Sequence, residues 1–286
     1  MPSQKLLQRL TASLSLLLPA CSGIALAGEK LALPVPLTPY LEAAGTAPEA
    51  RPEEALSVNE PIYFLLGDGS QFTARFQLSF KYRIFDERSR FSQTLPPLKG
   101  LYFGYTQTSL WNLDKDSRPF EDTSYRPSLF WLHDSGGRGL RPRMLRLGYE
   151  HESNGRSEPE SRSIDTVFLQ PTWETTVHDR KLGFAPKLYA YLDTEDNPDI
   201  EEYRGYGDWI VRYGTEDSWM WRGQYRYGIG GRNTIQLDVS YPMREPLFTR
   251  TGAFLHLQLL HGYGETLLNY NEYIGLRVWL GVSVVR

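Results

Sequence analysis

Gln71-Phe72-Thr73-Ala74-Arg75-Phe76-Gln77-Leu78-Ser79-Phe80-Lys81-Tyr82 alternates polar and apolar residues without a break. Side chains of a β-strand point to opposite faces in turn, so Phe72, Ala74, Phe76, Leu78, Phe80 and Tyr82 form one apolar wall. Gln71, Thr73, Arg75, Gln77, Ser79 and Lys81 form a polar one. The run is long enough to cross a bilayer as a tilted strand. The pattern recurs: Leu101, Phe103 and Tyr105 share a face, and Trp209, Val211 and Tyr213 oppose Asp208 and Arg212. Trp219, Trp221, Tyr225 and Tyr227 oppose Arg222, Gln224 and Arg226, while Ile235, Leu237, Val239 and Tyr241 oppose Gln236, Asp238 and Ser240. The last strand sets Ile274, Leu276, Val278, Leu280, Val282 and Val284 against Tyr273, Arg277 and Ser283. A soluble β-sandwich also alternates, but aromatic density, strand length and an export signal favour an all-β transmembrane antiparallel barrel with a polar interior.

Composition agrees with that reading. The 286 residues include 18 Tyr, 13 Phe and 7 Trp, yet the mean hydropathy is −0.43. Such a chain is too polar for a helical membrane protein, whereas a barrel hides its apolar residues in alternation. Lys5 and Arg9 precede the apolar run around Leu14 to Leu18, and Ala25-Leu26-Ala27 offers a cleavage site, so residues 1–27 read as a signal peptide. Leu18-Pro19-Ala20-Cys21 is a competing lipoprotein signal. Cys21 is the only cysteine, so a chain cut after Ala27 forms no disulfide. Residues 28–60, rich in Pro, Ala and Glu, read as an irregular periplasmic segment, with the barrel over 61–286. The formal net charge of −3 does not suggest nucleic acid as a partner.

Tyr149-Glu150-His151-Glu152-Ser153-Asn154-Gly155-Arg156-Ser157 carries the chemistry. Strand parity puts His151 and Ser153 on one face with Leu145, Leu147 and Tyr149, and Arg146, Glu150 and Glu152 on the other. A base and a nucleophile thus lie on the apolar side, the outer wall of the barrel.

The segment Gly148 to Ser157, continued by Pro159, Ser161, Arg162 and Ser163, closely resembles the active-site region of the outer membrane phospholipase A family. Tyr105-Thr106-Gln107, Pro119-Phe120, Asp196-Asn197-Pro198-Asp199-Ile200 and Gly262-Tyr263-Gly264-Glu265 resemble that family in the same order, from about Pro61 onward. The resemblance implies a twelve-stranded barrel of a Gram-negative outer membrane, its active site towards the outer leaflet. It implies a calcium-dependent hydrolase of phospholipids and lysophospholipids, with Ser153 as nucleophile and His151 as general base. Where the family commonly has an asparagine orienting the histidine, this chain has Asp165, which accepts the same imidazole N–H bond. By the same resemblance the backbone N–H of Gly155 stabilises the oxyanion, and Ca2+ is held by the Arg156 carbonyl and Ser161 hydroxyl, with Ser117 contributed by a partner subunit. Gln107, on the face of Leu101, Phe103 and Tyr105, places towards lipid an amide that needs a hydrogen-bond partner; in the family this glutamine pairs across a dimer, so the resemblance implies a calcium-promoted homodimer.

Other motifs point elsewhere. His133-Asp134-Ser135-Gly136-Gly137 carries a serine in a turn signal with no matching histidine context, and Asp193 to Arg204 has Pro198 where a calcium-binding EF-hand needs glycine. His178, His256 and His261 lack metal-ligand spacing. The reading from another class is a catalytically silent barrel, a pore or structural protein that keeps the pattern.

Overall fold

The computed structural model describes residues 55–68, 71–86, 89–243 and 252–286. The signal peptide expected over 1–27 and all but the end of the irregular segment lie outside the described residues. The strands are β1 (Leu56–Ser57), β2 (Ile62–Asp68), β3 (Phe72–Arg83), β4 (Leu101–Asn112), β5 (Phe120–Asp134), β6 (Met144–Ser153), β7 (Ser163–Val177), β8 (Arg180–Phe184), β9 (Lys187–Asp193), β10 (Gly207–Gly214), β11 (Met220–Tyr227), β12 (Asn233–Pro242), β13 (Phe254–Tyr263) and β14 (Tyr273–Val285). Each pairs antiparallel with its neighbours, and β14 pairs with β2 while β3 pairs with both β2 and β4, so the sheet closes on itself. Closure leaves no exposed edge.

The segments make twelve staves. β8 and β9 both pair with β7 and β10 and form one stave, interrupted at Ala185-Pro186, where a residue without an N–H cannot continue the ladder. β1 and β2 both pair with β3 and share another, broken before Pro61. The barrel therefore begins earlier than the expected boundary at residue 61: Leu56 and Ser57 stand opposite Tyr82 and Lys81.

The decisive alternation of β3 reads directly as two walls. Leu78 is 51% exposed on the outside, and Ser79 1% on the inside. Phe80, Phe103, Trp209, Trp221, Tyr225 and Leu280 likewise face outward. Ile274, expected outward, faces inward. It is 7% exposed, packed with Leu260 and Trp279, while Tyr273 is exposed. The register shifts between the Leu260–Arg277 and Gly262–Ile274 pairs, and an extra residue in a strand flips every side chain beyond it.

Inside, several charges are paired, as low-dielectric burial favours, while buried Arg146 lies over the Phe130 ring instead. Arg126 meets Glu60 at 2.6 Å, Lys187 meets Glu150 at 2.7 Å, Arg226 meets Asp208 at 2.6 Å and Arg222 meets Asp238 at 3.2 Å. His256 belongs to this network, 3.0 Å from Asp238. No helix among the described residues is long and apolar enough to cross a membrane.

Candidate active site

The inner face of β6 sets the outer one. Glu150 is held by Lys187, and Glu152 accepts from Ser124 Oγ at 2.7 Å and pairs with Arg204 at 2.8 Å. Arg204 closes the one-turn helix Ile200–Arg204. Two carboxylates anchored on the inside fix the rotation of the strand, and the residues between and beyond them, His151 and Ser153, must point out.

β7 is fixed in the same way. Ile164 is buried with Ile200 and Tyr270, with Tyr191 and Tyr203 against the cluster, so its neighbours Ser163 and Asp165 take the opposite face. Tyr270 also donates its hydroxyl to Asp199. Burial and that carboxylate push the phenol above its ordinary range.

β6 and β7 meet in the register that pairs His151 with Asp165 and Ser153 with Ser163. His151 Nδ1 lies 2.8 Å from Asp165 Oδ1. With Nδ1 committed to the carboxylate, Nε2 is the nitrogen left for Ser153, two residues along the same face. The hydroxyl of Ser153 makes no hydrogen bond among the described residues. Tyr149 donates its hydroxyl to the same Oδ1 of Asp165.

Beyond Ser153 the chain turns through a loop held by Asn154, which sequence reading passed over. This buried side chain accepts from the amides of Arg156 at 3.2 Å and Arg162 at 3.0 Å, and donates to the Glu160 carbonyl at 2.8 Å. Its own N–H donates to the Arg162 carbonyl at 3.0 Å. Between these engaged amides, Gly155 adopts φ +66°, which glycine tolerates without strain. A Cβ there would come within 3.1 Å of the Tyr125 ring. The Gly155 N–H makes no backbone hydrogen bond among the described residues, the state an oxyanion donor requires.

The residues expected around calcium divide. The Ser161 hydroxyl donates to Asp196 Oδ2 at 2.9 Å, so the Asp196 turn, given no role at the site in the sequence, reaches it. Asn197, fully buried in that turn, donates to the Ser163 carbonyl at 2.6 Å. The Arg156 side chain binds the Glu121 carbonyl and Glu160, tying the loop to the start of β5. Ser117 lies in the exposed β4–β5 loop with φ +65°, and no hydrogen bond joins it to Arg156 or Ser161. Among the described residues no group of three or more His, Cys, Asp or Glu is arranged to hold a metal ion. The oxygens of Arg156, Ser161 and Asp196 are the hard donors calcium takes, so the set fits a weakly bound ion.

Gln107 faces outward, but its amide is satisfied within the chain: Tyr105 Oη donates to Oε1 at 3.0 Å, and Nε2 donates to Ser109 Oγ at 3.3 Å. The need for a partner across an interface, expected from the sequence, is met locally. The serine of His133 to Gly137 lies far along the strand from this cluster, its hydroxyl on the Arg143 carbonyl at 3.1 Å, and His133 stacks on Trp131.

Known proteins resemble this chain in sequence and in fold. The phospholipase A1 family model matches residues 46–284. The phospholipase A1 of Escherichia coli K12 is 34% identical over 217 residues, 73% of this chain and 68% of its own length. The chain spans about half, 53%, of a relative from Neisseria meningitidis. Among solved structures, the outer membrane phospholipase A of Escherichia coli, as an active-site variant with an asparagine replaced by alanine, superposes with a TM-score of 0.67 at 26% identity, covering 82% of this chain and 93% of that one. The Salmonella typhi outer membrane phospholipase, a dimer with bound calcium, gives a TM-score of 0.66 at 26% identity, covering 80% and 91%.

Proposed function

We infer, for a chain that belongs to the phospholipase A1 family, that it is an outer-membrane phospholipase hydrolysing acyl esters of phospholipids and lysophospholipids from the lipid-facing wall of its barrel. The observation that carries this reading is the outward cluster of Ser153, His151 and Asp165, with His151 bonded to Asp165 through Nδ1. Ser153 Oγ attacks the ester carbonyl and passes its proton to His151 Nε2. Asp165 stabilises the imidazolium that forms, and His151 returns the proton to the departing glycerol oxygen. Water then cleaves the acyl-serine by the same proton route in reverse, and the unused N–H of Gly155 faces the charge on the carbonyl oxygen in both steps.

Ca2+ would be held by the Arg156 carbonyl and Ser161 hydroxyl, beside Asp196, with Ser117 of a second subunit completing the set. When bound, the ion supplies positive charge beside the ester oxygen. So few carboxylates make a weak site suited to regulation. The Salmonella relative, a dimer with calcium, supports a calcium-promoted homodimer, while Gln107 is then an interface residue rather than an orphan amide. The active site would face the outer leaflet of a Gram-negative outer membrane, where substrate arrives by lateral diffusion.

The test is hydrolysis of labelled phospholipid in detergent by wild type and Ser153→Ala, with and without calcium. Calcium-dependent hydrolysis lost in the variant is expected. Equal hydrolysis by both proteins would leave the silent barrel.

A further inference from the structure

We propose that Tyr149 is a positioning residue of this reaction, its hydroxyl holding the Asp165 carboxylate in the orientation that aligns His151. The proposal rests on the serine-hydrolase reading above.

Asp165 is an acid on the lipid-facing wall, and an ionised carboxylate with about four acceptor sites needs donors wherever water is scarce. The charged groups around it are few. On β6 it faces His151; on β9 its register partner is Asp193, a second carboxylate and no source of a proton donor when ionised. Among the described residues, Asp165 forms an ion pair with His151 alone. The remaining donor is Tyr149, which stands opposite Val167, one pair further along the same face, and reaches diagonally to Asp165 Oδ1. His151 Nδ1 shares that oxygen at 2.8 Å.

Two donors on one oxygen fix the carboxylate in a way that a single imidazole contact does not. With one bond the carboxylate turns about its Cβ–Cγ axis, and the imidazole turns with it; with two, from Tyr149 and His151, both are held. An exposed tyrosine on a barrel wall is ordinarily an interfacial aromatic, and its ring would serve there equally well as phenylalanine. The hydroxyl on Asp165 is what that role does not require. An asparagine, being neutral, would have less need of this second donor than an aspartate has.

Tyr149→Phe keeps the ring and removes the donor, so a double-mutant cycle with Asp165→Asn isolates the bond. Hydrolysis of labelled phospholipid in detergent with calcium should fall about tenfold in kcat for Tyr149→Phe, with KM within about twofold, the scale of one lost charge-assisted hydrogen bond. In the Asp165→Asn background the same change should alter kcat by less than about twofold. The rate at which a fluorophosphonate labels Ser153 should fall in parallel, a readout independent of lipid binding. Equal losses in both backgrounds, or no loss with Asp165 present, would overturn the proposal. Ser153→Ala as active as wild type, or labelled by the probe, would instead overturn the underlying serine-hydrolase reading.

Discussion

His151 and Asp165 stand directly opposite each other on β6 and β7, with Nδ1 and Oδ1 2.8 Å apart. The bond spans a register pair, so the histidine is oriented by the same ladder that closes the barrel. A carboxylate here does what an amide oxygen does and adds charge.

Replacing Asp165 by Asn should therefore retain substantial hydrolysis, within about tenfold of wild type, because the acceptor for Nδ1 remains. Ser153→Ala should lower kcat by about a thousandfold or more, the scale of losing a nucleophile. Initial rates on labelled phospholipid, with both variants shown to be folded, make the comparison. Equal losses would mean that Asp165 is not the orienting residue.

Chelation of calcium should suppress hydrolysis reversibly. Ser161→Ala should raise the calcium concentration for half-maximal activity, roughly tenfold for the loss of one ligand in a sparse site. Asp196→Asn should shift it in the same direction, since Asp196 holds the Ser161 hydroxyl. Titration of activity against free calcium measures both. Unchanged activity in excess chelator would remove the ion from the mechanism.

Glu152→Ala should damage the enzyme without touching its outer face. It leaves Arg204 inside the barrel without its carboxylate, and breaking a buried pair by removing one partner costs about 3–5 kcal/mol. Urea unfolding of the reconstituted barrel should show the loss. Glu152→Gln, which keeps an acceptor for Ser124, should recover part of it.

Tyr270 gives an alkaline signature. Its phenol is raised in the folded chain by burial and Asp199, so folding favours the neutral form. The stability it contributes is complete below the ordinary tyrosine value and is lost as pH rises through the raised one. The unfolding free energy of wild type should thus fall relative to that of Tyr270→Phe above about pH 10. Parallel curves over that range would mean that the Asp199 contact contributes nothing.

Cross-linking in membranes should capture a dimer in the presence of calcium and little without it. Gln107→Leu should weaken the dimer if the amide exchanges its partners Tyr105 and Ser109 for a second subunit. A strictly monomeric active enzyme would exclude the interface.

The faces of the strands were legible in the chain because alternation has a period of two and depends on nothing outside the strand. That is why the outward placement of His151 and Ser153 follows from Arg146, Glu150 and Glu152 alone. What alternation does not carry is register. The bulge that buries Ile274 depends on how β14 meets β13, and periodicity is silent on an inserted residue. The roles of Asn154 and Tyr149 are not legible for a related reason: one is a polar residue in a loop and the other an aromatic on a wall of aromatics. Only the positions of Arg162 and Asp165, brought close by the turn between β6 and β7, give their side chains a role. Gln107 shows the converse, an amide whose isolation was inferred from its face and whose partners sit on its own strand.

A nucleophile carried on a convex wall has a consequence for how rate must be expressed. The concentration that governs encounter with Ser153 is the number of ester groups per unit area of the surrounding film, not per litre of solution. Diluting a phospholipid film with inert amphiphile at constant bulk lipid should slow the enzyme, whereas diluting the whole suspension should leave the turnover of each embedded molecule unchanged.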